Sequence, residues 1–337
     1  MKAIRLIKPF TFEFINLEKP IPKENELLVK VLKVGICGSD VSKFTGEHIR
    51  VPFPCEIGFP GHEAVGVVEG SKSKSFKQGD LVLIEKGNSF KEYVTQNEEN
   101  FLLLPIPNNQ YTNPHQPIPN PQSPTPNPLD EFVCSQPLGT VVRCFHKLNQ
   151  LEGKNVVVLG QGQTGLLFNS MFRMRGAKKI VGVDVLDYRL EVSKKMGATH
   201  IFNNNTGDLE EFVEDMTNGE MADVVVEAIG YQETYQQAFR IVRKGGRVVF
   251  FGMIRDLDEG KFFKLNFDDV FRKEITIIPS YGPHLIKDIK VAMELIGDGK
   301  IDVKPLITHH FKFNEVVRAF EIAYSKETNP IKVIVDF

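Results

Sequence analysis

Two short stretches of the chain hold residue types that could bind a metal. "VGICGSDVSKFTG" places Cys37, Ser39 and Asp40 in a short turn after a β-rich run, and "FPGHEAVGVVEG" places His62 beside Glu63. One thiolate, one imidazole and one carboxylate form a plausible zinc set with an open fourth position, the catalytic rather than the structural arrangement. Cys37 and Glu63, both ionised, would neutralise the metal's two charges. Spacing alone does not make the site, because 25 residues separate Cys37 from His62. Successive side chains on a regular strand also point to opposite faces, so His62 and Glu63 share a partner only if Pro60 and Gly61 bend the chain.

A third stretch, "VVVLGQGQTGLLF", has Gly160, Gly162 and Gly165 in a G-x-G-x-x-G pattern that follows a strand and opens a helix. In that setting the first glycine permits a tight turn, the second lets the backbone approach a pyrophosphate, and the third allows close helix–strand packing. Gln163 and Thr164 would offer backbone N–H groups to the phosphates. Asp184 ends the next strand, about twenty residues on, where an acid accepts from a ribose 2′-hydroxyl. Its charge would repel a 2′-phosphate, which favours NAD over NADP. Arg189, nearby, either stacks on adenine or faces solvent.

The elements that must position these residues fall into two textures. Residues 1 to about 105 alternate β-rich runs such as "ELLVKVLKVGI", "AVGVVEG", "DLVLIEKG" and "EYVTQ" with turn residues, predicting a mostly antiparallel β domain. From Lys154 onward, six apolar strands from "KNVVVLG" to "EITIIPS" alternate with mostly amphipathic helices, predicting a parallel, doubly wound sheet. The helix "LIKDIKVAMELIGDG" and the strand "IKVIVDF" end the chain, and periodicity does not assign them to either domain. Residues 108–128, "NNQYTNPHQPIPNPQSPTPNP", are too rich in proline for helix or central strand and read as a surface loop rather than a lid.

Composition sets the class. The 337 residues are enough for two domains with substantial cores, and 42% hydrophobic and 25% charged residues are ordinary for a globular protein. A formal charge of −2 gives no electrostatic case for nucleic acid or an anionic membrane as partner. No apolar run nears the roughly 20 residues that span a bilayer, and "MKAIRLIKPF" lacks the features of a signal peptide. A cytoplasmic location follows, and Cys37, Cys55, Cys134 and Cys144 are expected as free thiols or metal ligands rather than disulfides.

"GICGSD", "GHEAVGVV" and "VVVLGQGQTG…VDVLDYR", in this order and spacing, resemble the zinc-dependent medium-chain dehydrogenase/reductases of the alcohol dehydrogenase superfamily, nearest the sorbitol and threonine dehydrogenase branch. The resemblance covers nearly the whole chain. It implies an α/β protein with a GroES-like β domain (1–150 and 282–337) and an inserted doubly wound Rossmann domain (151–281). It also implies zinc in the cleft, NAD-linked oxidation of a secondary alcohol or polyol, and a homo-oligomer, dimer or tetramer. Carried over by residue, Cys37, His62 and Glu63 match the metal ligands, Asp40 the acid that orients the histidine, and Ser39 the hydroxyl that hands on the alcohol proton.

Three departures accompany the resemblance. "GDLVLIEKGNSFKEYVTQ" lacks the cysteine-bearing lobe of a structural zinc, so one zinc per chain is expected. Gln136, in "FVCSQPLGT", occupies the position usually held by Cys or Glu; a continuous helix would turn Cys134 about 200° from it, a poor substitute. Ser42 stands where many relatives have a relay histidine, with His48 in the following loop. These departures keep two other readings open: a zinc-free reductase of the quinone-reductase type, against which the retained Cys and "GHE" argue, and a non-catalytic dinucleotide-binding sensor.

Overall fold

A computed structural model describes residues 1–47, 52–106, 127–255, 264–282 and 286–337. His48 and all but the last two residues of the proline-rich stretch lie outside the described residues. The chain divides into two compact units, one of Met1–Pro137, Ile289–Gly299 and Ile307–Phe337, the other of Leu138–Asp288 and Lys300–Leu306.

In the first unit, β1 (Lys2–Lys8) and β2 (Thr11–Asn16) form an antiparallel pair. The long strand β3 (Glu26–Ile36) leads into α1 (Gly38–Thr45), and β4 (Glu63–Ser71), β5 (Leu81–Ile84), β6 (Tyr93–Asn97) and β7 (Phe101–Leu103) follow. The short helix α2 (Pro128–Val133) comes next, then α3 (Ser135–Phe145), which begins in this unit and continues into the second from Leu138; a one-residue interruption at Cys134 means the helix through this stretch is not continuous. Near the C-terminus, β14 (Ile307–Lys312), α10 (Val316–Ser325) and β15 (Lys332–Asp336) return to this unit. The sheet order is β14-β15-β3-β4-β5-β7, with β6 pairing β3, so the tail belongs to the β domain. Its neighbours pair antiparallel except β14 and β15.

Register decides what meets above the sheet. Gly35 of β3 pairs with Glu63 on one side and Ile334 on the other. Alternation therefore puts Lys33, Gly35, Glu63, Lys332, Ile334 and Asp336 on one face, under α2. The opposite face feeds an aromatic core in which Phe44 of α1 and Phe320 of α10, both almost fully buried, lie 5.1 Å apart between ring centroids. Burying one such ring stabilises by about 1.5–3 kcal/mol, which anchors α1, the helix that follows Cys37 and carries Asp40.

In the second unit, β8 (Asn155–Leu159), α4 (Gln163–Met174), β9 (Lys179–Asp184), α5 (Asp187–Lys195), β10 (His200–Asn203), α6 (Leu209–Thr217), β11 (Ala222–Glu227), α7 (Gln232–Ile241), β12 (Val242–Phe250), α8 (Asp268–Arg272) and β13 (Thr276–Pro279) alternate as the sequence predicts. A final helix, α9 (Ile286–Gly297), starts in this unit and from Ile289 belongs to the first. The six strands are all parallel, in the order β10-β9-β8-β11-β12-β13. Strands covered on both faces must be apolar throughout, and all five residues of β8 are buried. Strand order reverses between β8 and β11, so the glycine turn after β8 sits at the switch point where such sheets bind ligands.

Candidate functional site

The structure brings Cys37, His62 and Glu63 together: one ligand atom from each lies within 4.8 Å of the other two. Cys37 is the N-cap of α1, and His62 and Glu63 arrive at the start of β4. The bend that unites the adjacent pair comes at Gly61, whose φ of 44° is in the left-handed region and whose added Cβ would meet Phe90 at 2.8 Å.

Asp40 ties the two segments. Its Oδ2 accepts from the Cys37 backbone N–H at 3.0 Å, and its Oδ1 lies 2.9 Å from His62 Nδ1, with Lys43 3.9 Å away. Asp40 is fully buried, so this placement is rigid. With Nδ1 committed to a carboxylate, Nε2 is the ring atom left for a metal. Burial opposes charge on His62, but the Asp40 carboxylate and the Cys37 sulfur more than offset it and hold the imidazole well above its usual range. Burial likewise opposes the Asp40 charge, and His62, Lys43 and the Cys37 N–H reverse the effect and lower its pKa.

Glu63 has a partner that sequence reasoning missed. Its carboxylate accepts a short hydrogen bond from Lys332 Nζ, and both side chains are fully buried. Burial alone would lower the lysine's pKa, but Glu63, Cys134 and Cys37 outweigh it and raise it. The pair fits over β3 because Gly35 has no side chain; a Cβ there would meet Glu63 Oε2 at 2.9 Å and Val133 at 2.6 Å. The available signal was a single lysine in the apolar run "IKVIVDF", which alone does not say what it faces. Cys134 is buried beside this pair, and desolvation pushes its thiol to about 12, as expected of an inert packing residue.

The donor set fits a divalent cation. A divalent ion bound there, together with Lys332 and Lys43, would face the negative charges of Cys37 as thiolate, Glu63 and Asp40. Ser39 stands half-buried in the first turn of α1. The Ser42 hydroxyl is buried and donates to the Gly38 carbonyl at 3.2 Å, so it serves its own helix. Gln136 is buried at the start of α3. A second group of ligating atoms, from Asp130, His310 and Asp336, already contains a cation: Lys33 lies 2.8 Å from Asp130 and also pairs with Asp336.

In the second unit, Gly160, Gly162 and Gly165 form the turn between β8 and α4, and Gln163 and Thr164 occupy the first helical turn, where N–H groups have no intrahelical acceptor. A Cβ on Gly165 would lie 1.8 Å from the Gly160 carbonyl oxygen. Asp184 is buried at the end of β9; its Oδ2 accepts from Gln161 N–H at 2.7 Å and its Oδ1 from Val185 and Leu186 N–H at 2.8 and 3.0 Å. A carboxylate accepts about four hydrogen bonds, so capacity for a ribose hydroxyl remains. Arg189 neither faces solvent freely nor lies far off: it is 3.6 Å from Asp184, and its Nε donates to the Tyr188 hydroxyl at 3.1 Å.

Comparison with known proteins accords with both halves. Residues 23–107 match the alcohol dehydrogenase GroES-like domain and residues 164–298 the zinc-binding dehydrogenase domain. The chain is 32% identical over 353 residues to an uncharacterized zinc-type alcohol dehydrogenase-like protein of Escherichia coli, covering 99% of this chain and 98% of that one. It is 28% identical over 348 residues to sorbitol dehydrogenase of Bacillus subtilis, covering 99% and 97% of the two chains. Among solved structures, an Escherichia coli oxidoreductase/dehydrogenase of unknown specificity superposes with a TM-score of 0.82 at 27% identity, covering 100% of this chain and 99% of that one. From the two domain matches in sequence and the end-to-end relative, the chain belongs to the zinc-binding medium-chain dehydrogenases and is related to the sorbitol and threonine dehydrogenases.

Proposed function

We propose that this protein catalyses the reversible NAD-linked oxidation of a secondary alcohol or polyol, using one zinc per chain. The observation that carries the reading is the Cys37, His62 and Glu63 group, braced from behind by buried Asp40. Zinc bound there would supply a Lewis acid for the alcohol oxygen, and NAD would accept the hydride.

The chain's own residues account for the rest. Asp40, 2.9 Å from Nδ1 of His62, leaves Nε2 for the metal, and Lys332 brings a cation to the buried Glu63 side chain. Binding a metal requires Cys37 as thiolate and His62 neutral, so uptake releases protons. Ser39, two residues past Cys37, matches the hydroxyl that receives the alcohol proton in the family the chain resembles, and Ser42 is already committed to Gly38. Asp184 favours the unphosphorylated ribose of NAD. A single metal is supported by the stretch between β5 and β6, which has no cysteine. Four unpaired cysteines accord with a cytoplasmic location.

The deciding experiment measures zinc by elemental analysis of purified protein, then NADH formation with a panel of polyols and secondary alcohols. About one zinc per chain and alcohol-dependent NADH are expected. Absence of zinc after reconstitution, or a Cys37→Ser protein that binds zinc and turns over normally, would overturn the reading.

A further inference from the structure

Gln161, inside the glycine turn, is fully buried, unusual for a polar residue in a loop that must face a coenzyme. Its side chain folds beneath the turn. Nε2 donates to the Val158 carbonyl at 2.9 Å and the Gly160 carbonyl at 3.3 Å, while Oε1 accepts from Asn169 Nδ2 at 2.6 Å. The same Asn169 amide donates to Ser193 Oγ at 3.0 Å. Asn169 on α4 and Ser193 on α5 are both fully buried, so three polar side chains link the turn to two helices in a dry interior.

The orientation of each amide is dictated by its neighbours. Val158 and Gly160 present carbonyls, which only accept, so Gln161 must turn its NH2 to them and its oxygen to Asn169. Asn169 must then offer its NH2, as it does. Room for the network comes from Gly182 of β9, where a Cβ would fall 2.1 Å from Ser193 Oγ and 3.0 Å from the Gln161 side chain. The network leads to one functional group: the backbone N–H of Gln161 donates to Asp184 Oδ2 at 2.7 Å.

We infer that Gln161, Asn169 and Ser193 form a buried clamp that positions Asp184, and thereby sets the protein's preference for the unphosphorylated ribose of NAD. The inference rests on the dinucleotide site proposed above. None of the three side chains needs to touch coenzyme; they are positioning residues. A group buried with its partner removed carries its full desolvation penalty, so cutting the clamp loosens the turn rather than leaving it in place. The Asp184 carboxylate then loses one of its three backbone donors and its fixed orientation.

The test uses the full-length protein, with NADH and NADPH dissociation constants measured by fluorescence titration well below the melting temperature. Asn169→Leu should weaken NADH binding about tenfold and NADPH binding much less, so the ratio of the two constants shifts about tenfold toward NADPH. Ser193→Ala, a milder cut that keeps the Gln161–Asn169 bond, should shift it in the same direction by less. The double variant Gln161→Met/Asn169→Leu leaves neither amide unpaired, and the Ser193 hydroxyl can turn to its own helix. Its melting temperature should return toward wild type while the coenzyme ratio stays shifted. A merely structural role would move melting temperature and leave the ratio alone. An unchanged ratio in Asn169→Leu, or a ratio that recovers together with stability in the double variant, overturns the clamp. Wild-type protein that binds neither coenzyme overturns the site reading instead. Amide exchange in coenzyme-free protein separates the two: Asn169→Leu should speed exchange at Gln161, and unchanged exchange refutes the clamp by itself.

Discussion

Lys332→Met removes the ammonium that neutralises Glu63 while keeping a long side chain in its place. Both partners are fully buried, so the stranded carboxylate has no water to turn to. Breaking a buried pair from one side costs about 3–5 kcal/mol, whereas removing both charges is often close to neutral. For a domain of this size class, each kcal/mol moves the melting temperature by roughly 2–4 °C, so the single variant should melt about 6–20 °C lower. Glu63→Gln/Lys332→Met should recover most of that loss. Melting of chelator-treated protein, followed by circular dichroism, reads the effect. Repeating it with zinc tests the site itself, because a divalent cation beside Glu63 takes over the neutralising role and the deficit shrinks. A chelator-treated Lys332→Met protein that melts within about 2 °C of wild type would refute the buried pair. A deficit equally large with and without zinc would refute Glu63 as a neighbour of the metal.

Asp40→Asn keeps an acceptor for the Cys37 N–H but removes the charge facing His62; zinc affinity should fall about 10- to 100-fold in competition with a chromogenic chelator, and an unchanged affinity would count against the bracing role. Asp223, against the start of β8, gives a pH test away from both sites. Burial raises its pKa, but the Asn155 N–H at 2.9 Å, Arg243 at 2.9 Å and Lys154 at 3.3 Å outweigh it, and the folded value is lowered. A lowered folded value means the stabilisation is fully present above the unfolded pKa of about 3.9 and is lost as pH falls through the folded one. Both cations are partly exposed, so urea unfolding should find Asp223→Asn less stable by only about 1 kcal/mol at pH 7. That gap should shrink as pH falls below the unfolded value and through the lowered folded one, and a gap that widens on acidification would reverse the assigned sign.

Much of the fold was readable because its signals are local. β-rich runs bounded by turn residues marked β3 and β4, and continuous apolar runs separated by helical periods marked the parallel sheet. The glycine turn was readable for the same reason: strand, glycines, helix and Asp184 lie within one contiguous βαβ segment. The Cys37 and "GHE" stretches were legible as residue types, but their meeting depends on the bend at Gly61 and on Asp40 bridging both segments.

What tertiary structure alone decided is the set of partners that burial creates between distant segments. Lys332 and Glu63 are 269 residues apart and meet only because β15 inserts beside β3, a pairing that no periodicity records. Gln161 is an unspecified position of the glycine pattern, which defines backbone shape and not where an intervening side chain goes. Its burial follows from the missing side chain at Gly182 and from α4 and α5 closing over β9. Sequence by itself determined the elements and the chemistry on offer, because propensity and residue type act over a few residues. The packed fold determined which charges and amides must satisfy one another, because removing water makes every unpaired polar group costly.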